Sequence, residues 1–199
     1  MNLELELYLD QLARWPTSGK HILAQFDDSS IIVYQAYRPA IARFAVKNQR
    51  FGGEFSFERM SWIKPNFLWM MYRSGWASKQ DQENILAIRI QRTGFDKLLR
   101  EAVASSFRAS GLDSEAEWKS SLARSEVRLQ WDPDHDPAGN KQERRAIQLG
   151  LRGETLEKFG HEWIVEIQDI TAFVKEQAHR PHKALLLPRE EIYHADQVL

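Results

Sequence analysis

Two apolar periodicities alternate along this chain, and their order limits the folds open to it. Residues 84–91 (NILAIRIQ) alternate apolar and polar side chains and predict a strand. Residues 39–48 (PAIARFAVKN) repeat every three to four positions and predict an amphipathic helix with proline in its first turn. Because such segments do not follow one another in regular βαβ units, they favour an α+β fold over a doubly wound sheet. We expect a mixed or antiparallel sheet flanked by helices.

The chain has 199 residues, which is the length of one ordinary domain. We therefore predict a single compact domain over residues 1–199, with a core at about 20–178. Residues 179–199 contain two prolines and one apolar patch, a composition that predicts a C-terminal arm packed over the body.

Composition excludes several classes of site and location. The chain has no cysteine, so disulfides, thiolate metal sites and cysteine nucleophiles are excluded. The first ten residues are acidic and are not followed by an apolar run, and no apolar stretch approaches the roughly 20 residues that span a bilayer. We expect a cytoplasmic, soluble protein with no membrane partner.

Two segments contain strong helix or strand breakers. Residues 58–72 are rich in Trp and Met but contain Pro65, so we predict two helical pieces or one kinked helix that ends at Gly75. Residues 132–139 (DPDHDPAG) predict a turn-rich loop. The spacing of its acids resembles a calcium loop but has Pro137 where glycine is required, so the alternatives are a solvated turn and adventitious cation binding. We expect no resident metal.

The candidate site is a group of cations and aromatic residues between positions 34 and 76. Its members are Tyr34, Tyr37, Arg38, Arg43, Arg50, Arg59, Lys64, Tyr72, Arg73 and Trp76. A guanidinium can bind phosphate with two parallel hydrogen bonds while a neighbouring ring stacks on a base, so the group is typical of a site for a nucleotide or a nucleic-acid end. Arg38 and Arg73 lie at the ends of predicted elements, where functional side chains are often presented. The alternative is that the aromatic residues are core and both arginines pair with acids.

Five blocks of sequence carry a family resemblance. They are YRPAIARFAV at 37–46, RMSWIKPNFLWMMYRSGWA at 59–77, ILAIRI at 85–90, WDPDHDPAG at 131–139 and RRAIQLGLRG at 144–153. In this order they resemble the family called domain of unknown function 4291, over roughly residues 34–169. The matching positions are Arg38, Pro39, Trp62, Lys64, Pro65, Trp69, Met70, Arg73, Ser74, Gly75, Trp76, Asp132, Gln148, Gly150 and Arg152. The family implies no reaction for any of them.

A more distant resemblance is to the ADP-ribosyltransferase-like fold, which has an early strand ending in Arg or His and a Glu on a late strand. Here Arg38 and Glu166 stand at those places, and the resemblance implies that both are catalytic and that NAD is the cofactor. It implies further that NAD is held by Arg38, Tyr37, Tyr72, Arg73, Ser74 and Trp76. A carboxylate beside the ribose would stabilise the positive charge that develops as nicotinamide leaves. The chain lacks the Ser-Thr-Ser and paired-Glu signatures of that fold.

Two function classes follow from these observations. The first is a protein with a nucleotide- or phosphate-binding cleft, as in an ADP-ribosyltransferase-like enzyme that uses NAD. The second is a non-catalytic module that binds nucleic acid or another macromolecule. The net charge of −1 argues against binding along an extended duplex but allows recognition of a strand end.

Overall fold

The computed structural model describes residues 3–195, and its regular elements are short. The strands are β1 (Leu5–Leu7), β2 (Gly19–Lys20), β3 (Leu23–Ala24), β4 (Ser30–Tyr37), β5 (Ser61–Ile63), β6 (Asn84–Gln91), β7 (Val103–Ala104), β8 (Val127–His135), β9 (Lys141–Leu151), β10 (Ile164–Asp169), β11 (Leu186–Pro188) and β12 (Glu191–Ile192). The α-helices are α1 (Tyr8–Leu12), α2 (Pro39–Asn48), α3 (Phe67–Ser74), α4 (Arg92–Glu101), α5 (Phe107–Ser110), α6 (Glu115–Arg124), α7 (Gly153–Lys158) and α8 (Thr171–Gln177). A π-helical turn (Phe159–Trp163) and a 3₁₀ turn (His182–Ala184) complete them.

The first main sheet is antiparallel and has the strand order β10-β6-β4. Its central strand β6 pairs with β4 along its whole length, from Asn84 to Gln91. Both faces of this sheet are covered, because apolar residues of successive positions in β4 and β6 belong to two separate buried clusters. Such a strand reads as a nearly continuous apolar run, as Ile31–Tyr34 does.

The second main sheet is mixed, with the order β2-β9-β8-β7 and with β5 paired to β9 beside β2. The pairs β8–β9 and β5–β9 are antiparallel, whereas β2–β9 and β7–β8 are parallel. Together with the helices around it, this sheet confirms the predicted α+β class and its mixed or antiparallel sheets. No helix within residues 3–195 is long and apolar enough to cross a membrane.

The C-terminal segment pairs with the beginning of the chain. Strand β11 lies antiparallel to β1, and β12 lies antiparallel to β3. Residues 196–199 lie outside the described residues, and the boundaries between core and arm stay a prediction.

Two local predictions are wrong, and both concern strands of the mixed sheet. Within the segment predicted as helical, residues 61–63 form β5, and only the part after Pro65 is helix. The predicted loop at 132–139 begins as strand, because β8 continues through His135. Its Asp132 and Pro133 pair with Ala146 and Arg145 of β9.

Candidate functional site

An open cavity of about 390 Å³ lies between α3 and the exposed face of the mixed sheet. We call it the Lys64 cavity. It is lined by Trp62, Lys64, Trp69, Arg73, Gln130, Asp132 and Gln148. Six of these seven residues, all but Gln130, stand at positions that carry the family resemblance. Its volume falls within the range of small-molecule sites.

Lys64 is fixed in place by its backbone. It follows β5 and forms a two-sided bridge with β4, in which Tyr34 N donates to Lys64 O at 2.7 Å and Lys64 N donates to Tyr34 O at 3.3 Å. Pro65 then bars a continuing strand ladder because it has no N–H. The lysine side chain therefore leaves the backbone at the point where both sheets meet α3.

Helix α3 presents Trp69 and Arg73 on one face, because residues four apart lie one turn above each other. Asn66 caps the start of the helix, with its side-chain oxygen accepting from Trp69 N at 2.6 Å. Gly75 ends it with φ of 58°, a left-handed conformation that glycine adopts at little cost. Both ends of the helix are thus set by single residues, and its last turn brings Arg73 to the cavity mouth.

Glu190 also holds the start of α3. Its carboxylate is 1% exposed and accepts from Phe67 N at 2.6 Å and from the Asn66 side-chain amide at 3.1 Å. Burial raises the pKa of Glu190 well above its usual value, and the Phe67 N–H opposes that rise. The C-terminal segment therefore contributes directly to the helix that lines the cavity.

Trp62 forms one wall of the cavity because β9 has no side chain beneath it. Trp62 pairs with Gly150 in the β5–β9 register. A Cβ atom added to Gly150 would lie 2.9 Å from the Trp62 ring and 2.7 Å from Met60 Sδ. Glycine at 150 therefore allows the indole to lie across the strand.

Asp132 is the carboxylate of the cavity, and two amides hold it. Its Oδ1 accepts from Gln130 Nε2 at 2.9 Å, and its Oδ2 accepts from Gln148 Nε2 at 2.7 Å. Gln130 and Gln148 face each other across β8 and β9, so the three side chains share one face of the sheet.

Lys64 has a weak set of polar partners for a buried cation. The residue is 6% exposed, and the hydrogen bond recorded for its Nζ, to Trp62 O, is 3.5 Å long. Within residues 3–195, no carboxylate lies within salt-bridge distance of it. Burial and the neighbouring Arg73 lower the pKa of Lys64 to about 8, while Asp132 opposes the shift from longer range.

Aromatic stacking supports the far wall. Trp69 stacks on His135 with ring centroids 5.2 Å apart, and Tyr72 stacks on the same imidazole at 3.5 Å. Burial lowers the pKa of His135, although the neighbouring Asp134 opposes this shift, so the ring is neutral near pH 7. The Trp69 Nε1–H is buried and has no hydrogen-bond acceptor among the described residues.

Arg38 lines a different cavity, of about 490 Å³, which we call the Arg38 cavity. Tyr37 and Arg59 also line it. The Arg38 guanidinium is exposed and pairs with Glu54 at 2.6 Å, as the ion-pair alternative predicts. Tyr37 shares a hydrogen bond of 2.9 Å with Ser61, and burial raises its pKa.

The other predicted cofactor-binding residues are spread around the end of α3. Ser74 is fully buried and its Oγ donates to Met70 O at 3.0 Å. Trp76 packs edge-on against Phe67 at 6.1 Å. Tyr72 is 39% exposed and stacks on His135 outside the Lys64 cavity. Of the six residues assigned to NAD, the structure brings only Arg73 to the Lys64 cavity and only Tyr37 and Arg38 to the Arg38 cavity.

Glu166 lines neither cavity. It lies on β10 opposite Arg89, which is itself opposite Ile32 of β4. Tyr37 is five positions further along β4, which corresponds to about 17 Å. The structure therefore does not bring Glu166 to the arginine that was predicted to act with it.

Sequence reasoning placed Lys64 and Arg73 in the cation–aromatic group but did not place five other lining residues in this site, namely Trp62, Trp69, Gln130, Asp132 and Gln148. It considered Asp132 only as part of a solvated turn or an adventitious cation site. The available signal was the set of family-like positions, which contains four of these five residues. Their convergence depends on the pairing of β8 with β9 and β5.

The fold and the cavity define an α+β protein with a cation- and tryptophan-lined pocket on a mixed sheet. The chain belongs to the family described as Domain of unknown function (DUF4291), whose model matches residues 21–193. No curated protein matches the chain.

Proposed function

We propose that this chain binds a nucleotide or a related phosphate compound in the Lys64 cavity. The observation that carries the proposal is the buried ammonium group of Lys64, which has no acidic partner within 4 Å among the described residues. Buried charges are normally paired, because removing them from water costs free energy. A bound phosphate would supply the missing anion.

Arg73 strengthens the case for an anionic ligand. It lies at the mouth of the cavity, and its guanidinium has no ion pair or hydrogen bond within residues 3–195. A guanidinium can bind two phosphate oxygens at once. The two cations face one carboxylate, Asp132, which already accepts hydrogen bonds from two amides.

The aromatic walls favour a nucleotide over free phosphate. Trp62 is partly exposed and offers an indole face on which a base can stack, whereas Trp69 is 5% exposed and contributes little open surface. Asp132 can accept a hydrogen bond from a ribose hydroxyl. NAD, the cofactor predicted from the sequence, contains all of these groups.

ADP-ribosyl transfer from NAD and binding of a nucleic-acid end are two finer forms of this proposal. The first requires a carboxylate near the ribose, and Asp132 rather than Glu166 is the acid in this cavity. The second requires an oligonucleotide whose terminal phosphate fits between Lys64 and Arg73. Each form is an arm of the same experiment.

The test is calorimetric titration and thermal unfolding with pyrophosphate, ATP, NAD and a short 5′-phosphorylated oligonucleotide. We expect at least one of the nucleotides to raise the melting temperature, and Arg73→Gln to weaken its binding about tenfold or more, because charge-assisted phosphate contacts contribute about 1.5–3 kcal/mol. Release of nicotinamide from NAD would identify the transferase. A salt-dependent response to the oligonucleotide alone would identify the binding module.

Two further variants locate the site. Lys175→Gln removes an exposed cation of α8 that lines neither cavity and should leave binding unchanged. Arg38→Gln removes the cation of the other cavity. If Arg38→Gln abolishes binding while Arg73→Gln does not, the Lys64 cavity is the wrong site, and if no ligand binds at all, the proposal fails.

A further inference from the structure

Lys64 has the surroundings of a reactive amine rather than of a surface charge. Lys64 lines the cavity and is 6% exposed, and the hydrogen bond from its Nζ to Trp62 O is at the long limit of 3.5 Å. Its backbone is fixed on both sides by Tyr34. The side chain therefore starts from a fixed point in the cavity wall, and its amine has one weak polar contact among the described residues.

Electrostatics make the neutral form accessible near physiological pH. With a pKa of about 8, about a quarter of the amine is unprotonated at about pH 7.5, whereas an ordinary lysine is about 0.1% unprotonated there. Desolvation and an adjacent cation are the two effects by which proteins activate lysine as a nucleophile toward carbonyl compounds. Burial provides the first here, and Arg73 provides the second.

We propose that Lys64 Nζ forms an imine with the carbonyl carbon of a small phosphorylated aldehyde bound in the Lys64 cavity. This inference rests on the proposed function for its phosphate site, but here Arg73 alone holds the phosphate group, and the neutral Lys64 amine meets the carbonyl carbon. It names a class of substrate that nucleotide binding alone does not imply.

The step balances without any further reactant. The neutral amine adds to the carbonyl carbon, and one N–H proton moves to the carbonyl oxygen to give a carbinolamine. The C–O bond then breaks, and the second N–H proton leaves with the hydroxyl group as water. Asp132 lies in the same cavity and can relay these protons between nitrogen and oxygen.

The test is reductive trapping of the imine on the intact wild-type chain. The protein is incubated with glyceraldehyde 3-phosphate and sodium cyanoborohydride at about pH 8, and the modified lysines are mapped by peptide mass spectrometry. Lys79, an exposed lysine just beyond α3, is the internal control. We expect Lys64 to be modified about tenfold faster than Lys79, because its larger neutral fraction outweighs its lower basicity.

Two comparisons separate this inference from the proposed function. Unphosphorylated glyceraldehyde should lose most of the preference for Lys64, and so should Arg73→Gln with the phosphorylated aldehyde. Lys64→Arg should keep phosphate binding and yield no adduct at position 64. If phosphate or nucleotide binds but Lys64 reacts no faster than Lys79, the imine inference is overturned and the proposed function stands. If Lys64 reacts equally fast with both aldehydes and no phosphate compound binds, the amine is reactive but its phosphorylated substrate class is wrong.

Discussion

Lys64 and Arg144 are both buried cations, with 6% and 3% of their surfaces exposed. Arg144 donates from Nε to Asp134 at 2.5 Å and lies over the Trp15 ring at 5.1 Å from its centroid. Lys64 has a long contact to a backbone carbonyl and an open cavity beside it. The two buried cations therefore differ in their partners: Arg144 has an acidic partner, and Lys64 has none within 4 Å among the described residues.

The carboxylates nearest to the two cations also differ in their partners. Asp134 is 1% exposed and its charge is balanced inside the protein by Arg144. Burial raises the pKa of Asp134, and Arg144 opposes that rise. Asp132, two residues earlier, is held by neutral amides and leaves the charge of Lys64 unbalanced. Strand β8 thus carries one carboxylate in a close ion pair, Asp134, and one, Asp132, with no cation within salt-bridge distance among the described residues.

The largest expected effect comes from removing the paired cation. Arg144→Met leaves the Asp134 carboxylate buried without its partner and should lower the free energy of unfolding by about 3–5 kcal/mol, measured by urea denaturation at neutral pH. The double variant Arg144→Met with Asp134→Leu should recover much of this loss. A loss below about 1 kcal/mol in the single variant would show that the pair contributes little to stability.

The contribution of the unpaired cation, Lys64, to the free energy of unfolding should depend on pH. The folded-state pKa of Lys64 is about 8 and its usual value is 10.5, so between these values the unfolded chain binds more protons than the folded chain. The contribution of Lys64 to the free energy of unfolding should therefore rise with pH through this window, by up to about 3 kcal/mol.

Chemical denaturation of wild type and Lys64→Met at several pH values between these limits measures this contribution, because the difference between the two cancels the titration of other groups. Lys64→Met should also be more stable than wild type at about pH 7, by about 1–3 kcal/mol, because the methionine has no charge to desolvate. A pH-independent difference would mean that Lys64 titrates normally.

The smallest effect is expected at Arg38, whose ion pair with Glu54 is exposed. Arg38→Ala should change the free energy of unfolding by less than about 1 kcal/mol, as is typical of surface pairs. Thermal unfolding at low and high salt measures it, with Glu54→Ala as the matched variant. A loss larger than about 2 kcal/mol would give Arg38 a structural role comparable to that of Arg144.

Local sequence patterns predicted those elements whose ends are set locally. Helix α2 begins at Pro39 and strand β6 covers residues 84–91, as predicted. Strand β5 and the end of β8 were missed because Pro65 and the Asp-Pro-Asp segment indicate breaks. Both strands form because they pair with β9. Pro133 is tolerated in β8 because β7 pairs only with Arg128 and Leu129 of that strand.

The sequence predicted only those residues of the site that lie close together along the chain. The cations Lys64 and Arg73 lie close in sequence and belong to one recognisable pattern. Their carboxylate and amide neighbours come from positions 130–148 and reach the cavity only through the register of β8 on β9. Arg38 and Glu166 match the order of strands in the ADP-ribosyltransferase-like fold. That order does not determine the distance between the two residues, which depends on the position of each along its strand.

The attachment of α3 to Glu190 has a consequence for the biosynthesis of this protein. The acceptor for the Asn66 side chain lies 124 residues later in the chain. During translation, the helix that contains Trp69 and Arg73 cannot obtain this partner until Glu190 has left the ribosome. Nascent chains truncated before residue 190 should therefore lack a fixed start of α3 even where the strands that line the cavity have already formed.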